Sequence, residues 1–385
     1  MQKILFISHE ASPTGAPRVL LNIIQWIKHN TVIPFDILLL DGGEWEHEFK
    51  ELGHVYYWKY PQSEKQLSVT RRVFNRILGK NDDPKKIYNE KLLEALQRNN
   101  YSLVYGNTLV SLNAILKLTQ MLPKIKMIVH VHELYCYSLW FSEQLQAIQA
   151  YDVTYISVSK VTTENLVTNH HIPSKDIQLI YETIDIQEVR KYRKERADTN
   201  FVVHGCGWVD VRKGNDIFMF VAQRAIQKYP AIPFLFKWIG KIPPTHKYFI
   251  ENDIEKSGML GKVVFIGELQ KPYETFSQCD VYLMTSREDP FPLVCIEHAV
   301  LEKPIICFDK GTGVSEFVES DAGIIVPYLD IEAMADALAY LYQNPEKRKV
   351  MSTKAGEKAM DYDVSIQCPK IVQIITTLQK QNAHC

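Results

Sequence analysis

The chain opens on a short apolar run rich in β-branched and aromatic residues, Lys3 to Ser8. It ends in a small-residue loop, Ser12-Pro13-Thr14-Gly15-Ala16-Pro17, and passes into a helical pattern from Arg18 to Lys28. Apolar runs of this length bounded by turn residues predict strands buried on both faces. Further runs at Phe35 to Leu40, Leu103 to Tyr105, Lys126 to Val131 and Thr154 to Val158 are separated mostly by helical spacing, as in Asp83 to Arg98 and Ser111 to Met121. Strands alternating with helices predict a parallel sheet. A charged, apolar-poor stretch, Glu188 to Asn200, then gives way to a fresh strand at Phe201 to His204. The second half repeats the logic, with strands at Phe234 to Ile239, Lys262 to Ile266, Val281 to Thr285 and Pro304 to Phe308. Its helices fall at Asp216 to Lys228, Leu293 to Glu302 and Ile331 to Gln343. The pattern predicts an α/β protein of two doubly wound domains, 1–190 and 201–368, joined by a linker at 191–200, with a C-terminal helix at 369–385 packing back on the first domain. Such sheets bind ligands at the carboxyl ends of their strands, so a cleft between the domains is the expected working site.

Composition agrees with two cores. At 385 residues the chain has room for two to three domains of roughly 150 residues each, and 46% apolar against 23% charged residues is ordinary for a globular protein. A formal charge of −1 removes the electrostatic case for a nucleic-acid partner. Seven cysteines with no C-x-x-C pair, several inside apolar runs, read as reduced core thiols. No apolar run approaches the roughly 18 residues of a membrane span, and the N-terminus turns polar too soon for a signal peptide, so a cytoplasmic location is expected.

The chemistry concentrates in Ser286-Arg287-Glu288-Asp289-Pro290-Phe291-Pro292-Leu293-Val294-Cys295-Ile296-Glu297-His298-Ala299, directly after a strand. Pro292 suits a first helical position. The amides of Leu293 and Val294 then lack intrahelical acceptors and can bond an anion or a hydroxyl-rich ligand. Asp289 and Glu297 flank the helix start, where each can accept hydrogen bonds from sugar or ribose hydroxyls. This string resembles the E-x7-E signature of retaining, GT-B-fold glycosyltransferases of family 4 (glycosyl transferases group 1), with Asp289 in place of the first Glu and Pro290 where Gly is common. The resemblance implies two Rossmann-like domains facing across a cleft. It implies that Asp289 and the backbone from Phe291 to Val294 hold the donor sugar and phosphate, and that Glu297 holds the ribose.

The strand from Phe201 runs into Gly205-Cys206-Gly207-Trp208-Val209-Asp210-Val211-Arg212-Lys213-Gly214, which resembles the family's donor-phosphate loop, with Trp208 where Arg is frequent. A leaving nucleoside diphosphate gathers negative charge, and a fixed cation stabilises that state more than the ground state. Lys213 is the expected cation; either Arg212 supplies a second positive charge or the site works with one. In the first half, His132 matches the family's active-site histidine, and His130 is expected on the opposite face. Thr14-Gly15-Ala16 resembles the first-strand loop whose small residues admit a diphosphate or acceptor; Gly267 and Glu268 resemble the loop that meets the nucleobase. Ser157 to Lys160 and Tyr181 to Asp185 resemble the approach to the linker, with Glu182-Thr183 replacing a frequent Asn-Gly.

The match is thinnest between about residues 42 and 100. There Glu64 to Lys80 spaces Leu67, Val73, Phe74, Ile77 and Leu78 for one helix face and adds Lys65, Arg71, Arg72, Arg76 and Lys80, after an aromatic run at Tyr56-Tyr57-Trp58. Such a helix suits peripheral contact with an anionic membrane or simple packing on its own domain. Asp361-Tyr362-Asp363 spells a metal-carrying triplet of another glycosyltransferase fold, but its place near the C-terminus argues for coincidence; no metal site and no cofactor are expected. The expected function is transfer of a sugar from a UDP- or GDP-sugar to a hydroxyl of a glycan or lipid-linked glycan. The alternatives are a nucleotide-sugar epimerase of the same fold and an inactive glycosyltransferase-like binding subunit.

Overall fold

The computed structural model describes residues 3–59, 84–122, 125–194 and 199–383. The first domain holds β1 (Lys3–Ser8), β2 (Phe35–Leu39), β3 (His54–Tyr57), β4 (Tyr101–Asn107), β5 (Lys126–Val131), β6 (Val153–Ser157) and β7 (Ile177–Leu179), ordered β3-β2-β1-β4-β5-β6-β7. The second holds β8 (Phe201–Cys206), β9 (Phe234–Ile239), β10 (Val263–Gly267), β11 (Val281–Leu283), β12 (Ile305–Phe308) and β13 (Gly323–Val326), ordered β10-β9-β8-β11-β12-β13. All the pairings are parallel. Parallel ladders need crossovers that cover both faces, which is why every residue of β4 is buried. Strands β3, β7 and β13 are short edge or near-edge elements that the apolar pattern alone does not mark.

Strand order reverses between β1 and β4 in the first sheet and between β8 and β11 in the second. At such switch points adjacent loops diverge and leave a crevice. The loops carrying Gly15, Lys213 and Asp289 all leave strands that border these two points.

The domains share one apolar cluster, which runs from Ile4 and Phe6 through Ile184 and Val189 to Phe291, Ala299 and Ile371. A second crossing of the chain occurs at Asp363: the Ile184 amide donates to the Tyr362 carbonyl at 3.1 Å, and the Val364 amide donates to the Ile184 carbonyl at 3.1 Å. Asp363 also accepts from the Ile186 amide (3.2 Å) and caps Ser365 (2.9 Å), so the D-x-D triplet is used as a strap between domains. The final helix, Val364–Ala383, packs on the Gly15–Asn30 helix of the first domain. It begins at this cap, five residues before the expected 369, with Pro369 inside it.

Among the described residues no helix is long and apolar enough to cross a membrane. The segment 64–80 lies outside the described residues, as does part of the expected linker (195–198). Tyr56, Tyr57 and Trp58 are half-buried, Tyr57 donating to Glu46 (2.9 Å) and Tyr56 accepting from Asn99 (2.9 Å), so the run is an edge of the first sheet rather than an open aromatic interface. The six described cysteines are free thiols; four are buried, but Cys136 is exposed, not a core residue.

Candidate active site

Two loops of the second domain are stapled together by residues that have no other task there. Gly214 takes a left-handed φ of 71°, and a Cβ at that position would lie 2.0 Å from the Thr285 carbonyl oxygen, so only glycine permits the approach. The Thr285 hydroxyl donates to the Gly214 carbonyl (2.9 Å), and the Arg287 amide donates to the Arg212 carbonyl (2.8 Å). The Arg287 guanidinium grips both oxygens of Asp216 at 2.9 and 2.7 Å. The result brings the Lys213 ammonium into direct contact with the Asp289 carboxylate. Arg212 Nη1 stands 3.6 Å from the same oxygen and donates to the Glu288 carbonyl at 3.1 Å. Asp289 is buried, and a buried carboxylate needs compensating charge. Burial opposes the Arg212 charge, but Asp289 and Asp210 outweigh it and hold the guanidinium protonated. Arg287 is a positioning residue that sequence reasoning missed, although it lies two residues before Asp289.

The helix Leu293–Val300 begins beside this pair. Pro292 is its N-cap, extended at φ −70° and ψ 122°, and not its first helical residue as expected. The Pro292 carbonyl accepts from the Cys295 amide at 3.0 Å, which tightens the first turn. The Phe291 ring stacks on Tyr362 at 5.3 Å and leans on Tyr181 at 5.2 Å. Its side chain therefore belongs to the domain junction, and only its backbone is left to face a donor. Leu293 is buried and Val294 half-buried, and their amides are the helix's first donors.

Glu297 is almost fully buried, and its Oε1 accepts from Arg18 Nη1 at 2.6 Å and from the Tyr273 hydroxyl at 3.1 Å. Arg18 belongs to the Gly15–Asn30 helix of the first domain and also bonds the Tyr273 oxygen. Glu297 is thus clamped by a cation from the opposite domain. Neither Arg18 nor Tyr273 was picked out by motif, although Arg18 lies three residues after Gly15. Gly15 itself has open space where a Cβ would be, and the Ala16 carbonyl accepts from the Asn107 side chain at 2.8 Å. Gly267 (φ 93°) ends β10, and its carbonyl accepts from the Gly240 amide at 2.9 Å. With exposed Glu268 it lies at the carboxyl edge of the same sheet, two strands out from β8.

His132 follows β5, and its two ring nitrogens meet Glu182 Oε1 at 2.7 Å and Asn107 Oδ1 at 2.9 Å. Because the Asn107 amide nitrogen donates to Ala16, its oxygen is the atom turned to the ring. Both imidazole nitrogens then face acceptors, an arrangement that favours the doubly protonated ring. Burial works against that charge, but Glu182, with Glu133 behind it, raises the His132 pKa above its usual value. Glu133 accepts from the amides of Leu109 (3.0 Å) and His132 (2.9 Å), while burial pushes its own carboxyl up to about 7. His130 does not face away: residues two apart on a strand share a face, and the two imidazole rings are 4.1 Å apart. It bonds the Tyr105 hydroxyl at 2.7 Å, and burial holds it well below the usual range, hence neutral.

Among the described residues two groups bring three ligand-type atoms within 4.8 Å of one another: His130, His132 and Glu182, and the buried His204, Cys279 and His298. In the first, the His132 ring nitrogens are already engaged by Glu182 Oε1 at 2.7 Å and Asn107 Oδ1 at 2.9 Å. In the second, His298 Nδ1 donates to the Val294 carbonyl at 2.7 Å, and the ring lies between Phe276 and Tyr282 at 4.2 Å from each.

The sequence profile of the Glycosyl transferases group 1 family matches residues 212–358, the stretch that holds Arg212, Lys213, Asp289 and Glu297. The N-acetylgalactosamine-N,N'-diacetylbacillosaminyl-diphospho-undecaprenol 4-alpha-N-acetylgalactosaminyltransferase of Campylobacter jejuni is 23% identical over 207 residues, covering 53% of this chain and 55% of that protein. The capsular polysaccharide biosynthesis glycosyltransferase CapM of Staphylococcus aureus is 24% identical over 243 residues, covering 60% and 62%. The chain spans about half the length of the curated relatives it matches. The crystal structure of Anabaena HepE in complex with UDP and glucose superposes with a TM-score of 0.77 at 18% identity, covering 98% of this chain and 100% of that one. The chain therefore has the two-domain GT-B fold, and its residues 212–358 form a Glycosyl transferases group 1 domain.

Proposed function

We propose that this protein is a retaining glycosyltransferase that moves a sugar from a UDP- or GDP-sugar to a hydroxyl of a glycan or lipid-linked glycan in surface polysaccharide or glycolipid assembly, at the inner face of the membrane. One observation carries the proposal: Lys213 and Arg212 converge on Asp289 beside the first amides of a helix. That corner offers cations for a departing diphosphate and carboxylates for sugar and ribose hydroxyls. Positive charge at the leaving group comes from Lys213, Arg212 and the Leu293 and Val294 amides, in place of a divalent ion. Relatives named for capsule and diphospho-undecaprenol substrates, and a structural neighbour holding UDP, favour the same donor and acceptor classes.

In this mechanism the acceptor oxygen attacks the anomeric carbon on the face the diphosphate leaves. The new C–O bond forms as the bond to the phosphate oxygen breaks, and the acceptor's proton passes to that phosphate oxygen. No carboxylate nucleophile of the glycosidase kind is required. Incubation with a panel of UDP- and GDP-sugars, with and without glycan acceptors, tests the scheme. Acceptor-dependent release of nucleoside diphosphate is expected; release that ignores acceptors points to an epimerase or hydrolase, and binding without release to an inactive subunit. Lys213→Ala should lower turnover roughly 100- to 1,000-fold, as loss of one transition-state charge partner does elsewhere. Unchanged turnover in the folded variant removes Lys213 from the mechanism.

A further inference from the structure

Immediately after His132 the chain exposes an unusual amount of apolar surface. Within residues 135–140, Tyr135, Tyr137, Leu139 and Trp140 are all exposed, Trp140 at 72%. Isolated apolar side chains at a surface need no explanation, but a contiguous set does. The Tyr137 and Trp140 rings are 4.9 Å apart and inclined at 59°, forming an open wedge. The wedge is tied to the donor corner at both of its roots. The Arg212 guanidinium stands over the Tyr137 ring at 5.4 Å, and the Cys136 amide donates to both oxygens of Glu288 at 3.1 Å. A continuous path thus runs from Asp289 through Arg212 and Tyr137 to Trp140 and out to solvent.

Resting on the transferase reading, we infer that Tyr137 and Trp140 form an acceptor subsite that stacks a pyranose ring of the glycan next to the sugar that receives the transfer. The chemistry of the segment selects this occupant. A pyranose has a face of C–H groups that packs on an aromatic ring and a rim of hydroxyls that takes polar hydrogen-bonding partners. Residues 134–151 carry the hydroxyls of exposed Tyr135 and Tyr137 and the amide of exposed Gln146, and they contain no lysine or arginine. An anionic membrane surface calls for basic residues around the aromatic ones; the cation beside this patch, Arg212, is turned to Asp289 and the Glu288 carbonyl.

The test needs no turnover in its first arm. Tryptophan fluorescence of the full chain is titrated with maltose, cellobiose, chitobiose and lactose, for the wild type and for Trp140→Ala. A saturable change with at least one disaccharide, lost in Trp140→Ala and partly kept in Trp140→Phe with an NMR readout, is expected; no response to any of them overturns the subsite. In the second arm, with an acceptor found by the release assay, Trp140→Ala should raise the acceptor KM about tenfold, the scale of one lost ring contact. Donor KM and acceptor-independent release should stay unchanged. An unaltered acceptor KM overturns the inference, as does a variant that loses sedimentation with phosphatidylglycerol vesicles while its disaccharide binding persists. A wild type that binds disaccharides yet releases no diphosphate defeats the transferase proposal and leaves the glycan subsite standing.

Discussion

The charge state of His132 is decided by atoms from three separate strand ends. Asn107 closes β4, His132 follows β5, and Glu182 lies beyond β7. The groups that face the ring are Glu182, Glu133, His130 and, through electrostatic coupling, His9, itself lowered mainly by burial. Glu182 is the one whose removal is cleanest, since Glu182→Gln keeps its shape and loses its charge. A histidine whose folded pKa is raised contributes stability that is fully present below the unfolded value and lost as pH rises through the folded one. Glu182→Gln should therefore lower the His132 pKa, measured by NMR on labelled histidine, and shift the alkaline limb of the turnover profile to lower pH. An unmoved His132 resonance in the variant would mean that Glu182 does not set the proton. Asp289 meets Lys213 because the close approach at Gly214 brings the two loops together.

At the scale of one element, the eight-residue helix Leu293–Val300 does three jobs in about two turns. Its start presents free amides, Glu297 faces the other domain, and His298 is wedged under the sheet between Phe276 and Tyr282. Burial lowers the His298 pKa to about 3, so the ring stays neutral in the fold. Its unfolded counterpart takes up a proton near pH 6.5, so stability present above that pH is lost progressively as pH falls toward 3. The slope is at most about 1 to 2 kcal/mol per pH unit for one such group. Denaturant unfolding between pH 4 and pH 8 should show this loss, and His298→Phe should flatten it; an unchanged slope would place the acid sensitivity in other groups, with buried His130 the next to examine.

Across the whole molecule, the two domains meet through carboxylates of the second and donors of the first. Glu297 takes Arg18, Glu288 takes the Cys136 amide, and Glu316 accepts from the Lys160 and Val161 amides at 3.0 Å each and from the Tyr181 hydroxyl at 3.0 Å. Glu316 thereby serves as the anionic cap of a helix in the opposite domain. Of these, Arg18–Glu297 is the most consequential, because Glu297 is buried and would be left without a cation. Removing one partner of a fully buried pair costs about 3 to 5 kcal/mol, and the partial exposure of Arg18 reduces that to roughly 1 to 3 kcal/mol. Arg18→Met should lower thermal stability accordingly and enlarge the radius of gyration in solution scattering, and Arg18→Met with Glu297→Gln should recover part of the loss. Equal stability of Arg18→Met and wild type would show that the pair holds nothing together.

The sequence by itself determined the two parallel sheets and most of their strands, because strands buried on both faces must be apolar throughout and the helices between them must repeat at 3.6 residues. It also marked Lys213, Asp289, Glu297 and His132, whose surroundings are local: a strand end, a tight loop, a helix start. Only the tertiary structure decided which of these groups meet. Arg18 lies 279 positions from Glu297, and Glu182 lies 50 from His132, so no periodicity or spacing connects them. Their pairing depends on how the two domains are set against each other, and on the low dielectric between them, which makes an unpaired charge too costly to leave alone.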